Sequence, residues 1–511
     1  MQRMTNYFIQ IVTFLLFIII FFFSFSYNSS VYYQDNVFLS LLFAIITLII
    51  WTFVYWIIYK KIKIPSKKWE IIFLIIYFMV VSLLQIIVLK QLSVAPGWDF
   101  GMVFSNAKAF VYTGVREINV YPEYFQFFPN NIMLFVFEVI FIKIGSLFHI
   151  EAIYSVYIMN IIFIDMALLL LYLTIRKISN SKNAMFGLIL TLFFLSLFLY
   201  TPIIYSDTMT LFIPIGFVYL FSLKDDKKVI SKRNIMIFIL IGILLFWGKE
   251  LKITSLIIFI ALTMGYFIVK FKLIKFVNIG ISLSVLIICE LLFKITIVNN
   301  DKFQFQVNDY GSVPVTHWVM MGVEDIDADN SGRNSYGGYN EADYKLTESF
   351  KSGKDAIRFN LIETKNRISK MGINGYTDYL VRKSINTWTD GYYFSNVKLS
   401  INSNHQNSFL YKLLLANSKS ADIFRTISQG IQYAFIITLL MNCILKIKSN
   451  KSFDYLKLTL IGLVIFFLLW ENRSRYIFNF IPVFILIIVD SYDNLINKVA
   501  SKECLKLKKK N

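Results

Sequence analysis

The chain has 511 residues, of which 57% are hydrophobic and only 16% are charged, and its formal net charge is +19. Soluble domains carry about 25% charged residues, so the composition excludes a soluble enzyme. The apolar residues form continuous blocks such as 7–25 and 37–59. A block of about 18 residues or more is long enough to cross a bilayer as a helix. The sequence therefore predicts an all-α polytopic membrane protein.

Basic residues indicate the order of the predicted membrane crossings, because Lys and Arg are enriched in cytoplasmic loops. Six basic clusters separate the apolar blocks, at residues 60–68, 176–182, 224–233, 270–275, 446–457 and 506–510. With these clusters inside, both termini are predicted to be cytoplasmic. About twelve helices (eleven to thirteen) are then predicted to cross, at residues 7–27, 37–59, 69–92, 151–175, 184–200, 207–222, 235–248, 251–269, 276–297, 430–447, 456–470 and 476–490.

One further apolar segment, residues 127–147, is predicted to dip into the outer leaflet without crossing. It is apolar enough to span, but it contains Glu138 and Lys143, which are costly at mid-membrane. A crossing here would also move every later basic loop to the outside, against the usual charge bias.

This topology divides the chain into four parts. They are an extra N-terminal transmembrane hairpin (1–68), a membrane module with an external loop at 93–150 (69–297), a large extracellular loop region (298–428), and C-terminal transmembrane helices with a basic cytoplasmic tail (429–511).

Two aspartates lie at predicted external turns. Asp99 follows the turn Pro96-Gly97-Trp98, and Asp207 follows Tyr205-Ser206 at a hairpin tip. A carboxylate at this boundary can take a proton from an acceptor hydroxyl. The open alternative for both residues is a helix N-cap, a position that favours Asp.

Two predicted external tips carry cations against the usual charge bias. Lys249 and Lys252 lie on one tip, and Arg473 and Arg475 lie on the other. Cations at this position indicate an anionic partner, and Arg suits phosphate because its planar fork binds two oxygens. A lipid-linked phosphate at the outer leaflet is the predicted ligand. Internal pairing with neighbouring glutamates and contact with ordinary lipid headgroups are the alternatives.

The pair His317-Trp318 in the large loop region is a candidate sugar contact, because the rings can stack on a sugar and the imidazole can bond its hydroxyls. The alternative is a structural histidine. The three cysteines and three histidines show no metal-ligand spacing, so no metal site is predicted. No cofactor is predicted either, since the sequence contains no nucleotide-binding or dinucleotide-binding fingerprint.

Taken in chain order, residues 69–490 resemble the GT-C superfamily of integral-membrane glycosyltransferases, which includes the protein O-mannosyltransferases and the aminoarabinose transferases. The matching elements are Asp99 in the first large external loop, a helix beginning near Phe128-Pro129, the turn Tyr205-Ser206-Asp207, the helix start at Lys252 and Thr254, and the run from Glu471 to Tyr476 before the final helix.

The resemblance implies inverting transfer of a sugar from a polyprenyl-phosphate donor to an extracytoplasmic acceptor, either a cell-wall polymer or a surface polysaccharide. It implies that Asp99 is the general base, that Asp207 orients sugar or acceptor, that Arg473 and Arg475 with Lys249 or Lys252 hold the leaving phosphate, and that His317 and Trp318 contact the acceptor. The first loop lacks the adjacent Asp-Glu pair of some mannosyltransferases. Glu117 or Glu123 is therefore the expected second carboxylate.

Two alternatives remain open: a polysaccharide polymerase or ligase that uses a lipid-linked glycan, and a flippase or exporter of such glycans. A transport path would place polar or broken helices at the midplane, whereas most of the crossings here are runs of Ile, Leu and Phe. The expected partners are the polyprenyl-phosphate sugar donor, the glycan or wall-polymer acceptor and the lipid bilayer, with no nucleic acid.

Overall fold

The part of the chain described by a computed structural model is mainly helical. The structure describes residues 2–27, 36–61, 65–117, 124–225, 228–269, 271–305, 313–324, 336–350, 352–401, 403–416, 418–445 and 454–508. Within these residues the only β pairing is an isolated bridge between Val94 and Ser403. The prediction of an all-α protein is confirmed.

The first half of the chain alternates long helices with short ones. These are α1 (Gln2–Phe23), α2 (Val37–Lys61), α3 (Lys67–Leu92), α4 (Trp98–Thr113), α5 (Tyr124–Phe127), α6 (Ile132–Leu147), α7 (Ala152–Ile178), α8 (Ser181–Thr191), α9 (Ser196–Leu199), α10 (Ser206–Met209), α11 (Phe212–Leu223) and α12 (Lys232–Leu251).

The second half contains the large loop region and the last long helices. These are α13 (Ile257–Val269), α14 (Lys275–Phe293), α15 (Val315–Met321), α16 (Glu341–Glu348), α17 (Gly353–Trp388), α18 (Ser395–Ile401), α19 (Phe409–Leu414), α20 (Lys419–Leu445), α21 (Asp454–Leu469) and α22 (Ile481–Lys508).

Ten helical segments of the described chain are long and apolar enough to cross a membrane, and two shorter apolar helices accompany them. One predicted crossing is irregular. Residues 184–200 do not form a continuous helix, because α8 ends at Thr191 and the chain turns before the single turn of α9. Backbone carbonyls freed near this break are satisfied by a buried side chain: the Asn160 amide donates to the carbonyls of Tyr200 (2.8 Å) and Thr201 (2.9 Å). Such side-chain partners are what permit irregular backbone in a membrane bundle.

Side-chain contacts define two ends of the bundle. At one, the basal end, the Arg176 guanidinium pairs with Glu70 at 2.9 Å and the Ser181 hydroxyl donates to the same carboxylate. At the other, the site end, α7 begins beside the end of α3, where the Tyr157 hydroxyl donates to the Val94 carbonyl at 3.5 Å. Helix α7 therefore runs the whole distance from the site end to the basal end.

Helix α6 begins and ends at the site end. Asn131, just before α6, donates to the Tyr124 hydroxyl at 2.6 Å, and that hydroxyl bonds Asp99. The last turn of α6 packs against the start of α7, where a Cβ on Gly145 would overlap with Ser155. The segment Pro129–Leu147 is long and apolar enough to span, but these contacts support the prediction that it dips and returns.

The large loop region packs directly on the membrane helices. Helix α15 lies against α17, and α17 contacts α1, α21 and the 3-10 turn Ser474–Phe480. The N-terminal hairpin is also part of the body, since α2 packs along α20 and α1 packs along α20 and α21. The division of the chain into four functional parts stays a prediction.

Candidate functional site

Asp99 is held at the site end by a tyrosine. Helix α4 begins at Trp98 with Gly97 in the capping position, so Asp99 is the second helical residue and does not cap the helix. Its carboxylate accepts a hydrogen bond from the Tyr124 hydroxyl at 2.8 Å. The side chain remains partly exposed. The N-cap alternative is therefore wrong for Asp99, whose carboxylate faces a polar cluster.

Asp207 is a buried carboxylate between two cations. It is 2% exposed, and it pairs with the Lys252 ammonium and, at 3.5 Å, with the Arg475 guanidinium. Tyr205 occupies the capping position of α10, so the N-cap alternative is wrong here too. A carboxylate this well buried is stable as an anion only when it is paired. Two cations around one carboxylate leave one net positive charge.

Two tyrosine rings complete the walls around these charges. The Lys252 ammonium lies 4.8 Å from the Tyr476 ring centroid, and the Arg475 guanidinium lies 5.1 Å from that of Tyr205 and 4.9 Å from that of Tyr476. Aromatic faces attract cations. Burial lowers the pKa of Lys252, while the Asp207 carboxylate opposes that shift.

Lys398, on α18, is a site residue that the sequence analysis missed. Its ammonium donates to the Tyr205 hydroxyl at 2.9 Å and lies 3.8 Å from the Trp98 ring centroid. Burial, reinforced by the charge of Arg475, lowers the pKa of Lys398 to about 7, although Asp99 and Asp207 oppose the shift. Nothing in the local sequence around Lys398 marks it, because only the return of the large loop region over the site brings it there.

Glu471 and Arg473 lie on the tip between α21 and α22. Glu471 is buried and accepts a hydrogen bond from the Tyr476 hydroxyl at 2.7 Å, and burial raises the pKa of its carboxyl. The Arg473 guanidinium lies 5.2 Å from the Phe394 ring centroid. Among the described residues, neither Arg473 nor Lys398 has a carboxylate within ion-pair distance. Both cations are therefore held without a direct ion pair.

Two predicted residues, Lys249 and Glu117, do not join this group. Lys249 pairs with Glu290 and, at 3.5 Å, with Glu250, so its charge is neutralised by carboxylates and not kept for a ligand. Glu117 is exposed beyond the C-terminal end of α4. That helix has 16 residues, or roughly 24 Å at 1.5 Å per residue, so Glu117 lies far from Asp99. Glu123 lies outside the described residues.

His317 is enclosed inside the large loop region. It is 0% exposed, and its Nδ1 is 2.8 Å from the Thr347 hydroxyl. Burial lowers the pKa of His317 to about 4, so the ring is neutral. The structural alternative is therefore right for His317, because a fully enclosed ring cannot touch an acceptor. Trp318 is partly exposed, and its carbonyl accepts from the Glu471 amide at 2.8 Å.

A mostly apolar groove of about 380 Å³ lies between α4 and the start of α7. Its lining residues are Pro96, Phe104, Lys108, Tyr112, Glu151, Ala152 and Ile153. Within the described part of the chain, no group of three or more His, Cys, Asp or Glu side chains is arranged to hold a metal ion.

The geometry thus collects Asp99, Asp207, Lys252, Lys398, Glu471, Arg473 and Arg475 at one end of an apolar helical bundle. No curated protein and no solved structure matches the chain. One family model matches residues 1–495, nearly the whole chain. The chain is therefore an integral membrane protein, and it belongs to the family described as "Conserved hypothetical integral membrane protein" (CHIM_prot).

Proposed function

We propose that this protein is a membrane glycosyltransferase of the GT-C type, which moves a sugar from a polyprenyl-phosphate donor to an extracytoplasmic acceptor. The acceptor class is a cell-wall polymer or a surface polysaccharide. The site end faces outward, and both termini are cytoplasmic. The observation that carries the proposal is a partly exposed carboxylate, Asp99, at the same end of the bundle as four cations, of which Arg473 and Lys398 form no ion pair among the described residues.

The cations suit the phosphate of the donor. Among the described residues Arg473 and Lys398 form no ion pair, and the cluster as a whole holds four cations against three carboxylates. Positive groups held in place where negative charge develops stabilise a leaving group, and they do so most strongly where water is excluded. Lys398 is thus added to the proposed phosphate ligands, and Lys249 is removed.

Asp99 suits the role of general base. In the proposed step the acceptor oxygen forms a bond to the anomeric carbon, and the bond from that carbon to the phosphate oxygen breaks. The acceptor proton passes to Asp99, and the electron pair leaves on the polyprenyl phosphate. Tyr124 holds the Asp99 carboxylate through one oxygen, which leaves the other oxygen available for the incoming hydroxyl.

The polyprenyl chain suits an apolar surface. The groove between α4 and α7 begins at Pro96, three residues before Asp99, and its lining is mainly apolar. A chain lying there would place its phosphate near the cations while it remained in contact with the hydrocarbon core.

The Asp99→Asn variant tests the proposal in purified protein reconstituted with a polyprenyl-phosphate hexose and extracted wall polymers. We expect transfer to fall by a factor of about 100 to 10,000, the usual contribution of a positioned base, while donor binding stays intact. Asp301→Asn, an exposed change, is the matched control. Unchanged transfer by Asp99→Asn would overturn the catalytic assignment.

A donor series separates the alternatives. Transfer only from polyprenyl diphosphate-linked glycans would favour a polymerase or ligase. Movement of the lipid-linked glycan across the vesicle without any new glycosidic bond would favour a flippase.

A further inference from the structure

The tip that carries Arg473 and Arg475 has two distinct sides. Arg473 is extended, with φ −147° and ψ 150°, and the 3-10 turn begins at the next residue, Ser474. Their contacts show that Asn472 and Ser474 face α17, whereas Glu471 and Arg475 face the site. We call residues 470–475 the tip.

The α17 side of the tip is bound by three side chains. The Lys383 ammonium donates to the Trp470 carbonyl at 2.8 Å. The side-chain amide of Asn472 donates to the Lys383 carbonyl at 3.2 Å and to the Thr387 hydroxyl. The Ser474 hydroxyl donates to the Asp390 carboxylate at 2.6 Å. Lys383, Thr387 and Asp390 therefore grip the tip from one side of α17 and the turn that follows it.

Glycines of the large loop region approach the tip equally closely. A Cβ on Gly322 would lie 2.6 Å from the Leu469 carbonyl oxygen, and a Cβ on Gly338 would overlap with the Arg473 guanidinium. The Gly337 carbonyl accepts from the backbone N–H of Asn472 at 2.6 Å. Real Cβ atoms essentially never come this close to other atoms, so a Cβ at Gly322 would displace the tip backbone and a Cβ at Gly338 would displace the Arg473 guanidinium.

We propose that these six residues form a clasp that fixes the tip, so that its two arginines are held facing the anion site. The clasp consists of Gly322, Gly337, Gly338, Lys383, Thr387 and Asp390. Its members are positioning residues, because they act on the ligand through Arg473 and Arg475. This role in binding rests on the proposed function, since it requires that the site takes an anion.

The physical reason is preorganisation. A free arginine side chain must give up rotamer freedom to hold one direction. A segment fixed by backbone and side-chain hydrogen bonds presents its guanidinium before the ligand arrives, and this support is what tight sites require. The large loop region would then organise the phosphate site whether or not it also holds an acceptor.

Hydrogen exchange of the ligand-free, full-length protein tests the clasp without any ligand. The backbone N–H of Glu471 donates to the Trp318 carbonyl, and that of Asn472 donates to the Gly337 carbonyl. These two amide protons should therefore exchange slowly. Gly338→Ala should speed their exchange by about tenfold or more. Gly375→Ala is the matched control, because a Cβ there meets only the Met371 side chain at 3.5 Å.

Ser474→Ala provides a second, milder variant that removes only the bond to Asp390. It should also speed exchange at the tip, and Ser349→Ala, an exposed change in the same region, should not. If both Gly338→Ala and Ser474→Ala leave tip exchange at the level of their controls, the clasp is overturned.

Affinity for polyprenyl phosphate, measured against the uncharged polyprenol in the same vesicles, tests the link to the anion site. Gly338→Ala should weaken phosphate binding by about tenfold. In a protein that already carries Arg473→Ala, the Gly338→Ala change should not weaken phosphate binding further, because the arginine that Gly338 positions is absent. An undiminished effect there would overturn positioning through Arg473.

The two proposals fail in different ways. If wild-type protein binds polyprenol and polyprenyl phosphate equally while the tip exchange responds as expected, the proposed function fails and the clasp remains as a structural device. If phosphate binding is selective but no clasp variant alters it, the proposed function stands and the positioning role is wrong.

Discussion

The charge of Lys398 is sensitive to pH in the neutral range. Its ammonium is buried between Trp98 and Tyr205, and its pKa is lowered to about 7. A lysine in water keeps its proton to about pH 10. At this position the proton is bound below pH 7 and lost above it, so the positive charge available to an anion falls within the neutral range.

Donor binding should therefore weaken by about tenfold between pH 6 and pH 8, since the protonated fraction of Lys398 falls by that factor. The test is the affinity for a polyprenyl-phosphate sugar, a phosphodiester whose own charge is constant over this range. Lys398→Arg should abolish the pH dependence, because arginine stays charged. Lys302→Met, at an exposed position, should leave it unchanged. A pH dependence that persists in Lys398→Arg would contradict the assignment.

Asp207 should matter to stability as much as to binding. Its carboxylate lies between Lys252 and Arg475 inside the protein. Asp207→Asn leaves two buried cations without a counter-charge, and breaking a buried pair in this way costs about 3–5 kcal/mol. Thermal unfolding of the purified protein in detergent measures the loss, with Asp301→Asn as the control. An unaltered melting temperature would show that Asp207 is not paired as described.

At the scale of elements, α6 decides the topology. Its two ends lie beside Tyr124 and Ser155, both at the site end, which supports the prediction that it leaves the chain on the side where it began. Helix α7 then runs to the basal end and forms the Arg176–Glu70 pair. The side on which every later loop lies follows from this single helix.

Cysteine labelling should place Glu117→Cys and Lys228→Cys on opposite sides of the membrane, each in a protein whose native cysteines have been replaced. Both positions are exposed, and only α7, the α8–α9 segment and α11 separate them if α6 returns. An impermeant maleimide applied to intact cells should label Glu117→Cys alone. Labelling of both positions from outside would mean that α6 crosses.

The large loop region has an element-level anchor of its own. Arg367 on α17 binds the Asp343 carboxylate of α16 through two nitrogens, at 2.8 Å and 2.6 Å, and both residues are buried. A bidentate buried pair joins the two helices at a fixed distance. His317 lies beside this pair and is buried in the same part of the large loop region.

Arg367→Met should loosen this region by about 3–5 kcal/mol, because it leaves the Asp343 carboxylate buried and unpaired. Limited proteolysis in the native protein should then cut between α15 and α17 more readily. Arg358→Met, an exposed change on the same helix, is the control. Equal proteolysis of the two variants would show that the pair does not hold the region together.

At the scale of the whole molecule, an apolar bundle supports one polar end. The spans carry little charge and pack through residues such as Trp51, Tyr200 and Phe484. The large loop region folds back over the end where Asp99 and the cations meet, and it contributes Lys398 and the clasp. Chemistry proposed for this protein is therefore confined to one interface, where a lipid phosphate and a water-soluble acceptor can both reach it.

Composition and periodicity alone determined the class of molecule. Continuous apolar blocks can only be buried in lipid or in other helices, so the all-α membrane architecture follows from the sequence. The motifs at the predicted external turns also predicted which polar side chains would lie at one face of the protein, namely Asp99, Asp207, Lys252, Arg473 and Arg475. Residues near the ends of successive helices share a face whenever the connections are short, and this is a local property.

Only the tertiary structure decided how those residues are paired and which others join them. Lys249 and Lys252 are three residues apart, yet one is neutralised by Glu290 and the other binds Asp207. Lys398 and Lys383 come from a region that is distant along the chain from the other site residues. His317 is buried inside the large loop region. Long-range packing determines these contacts, and local sequence patterns do not predict them. The sequence therefore determined the bundle and the face of the site, whereas the tertiary fold decided the charge that remains for a ligand.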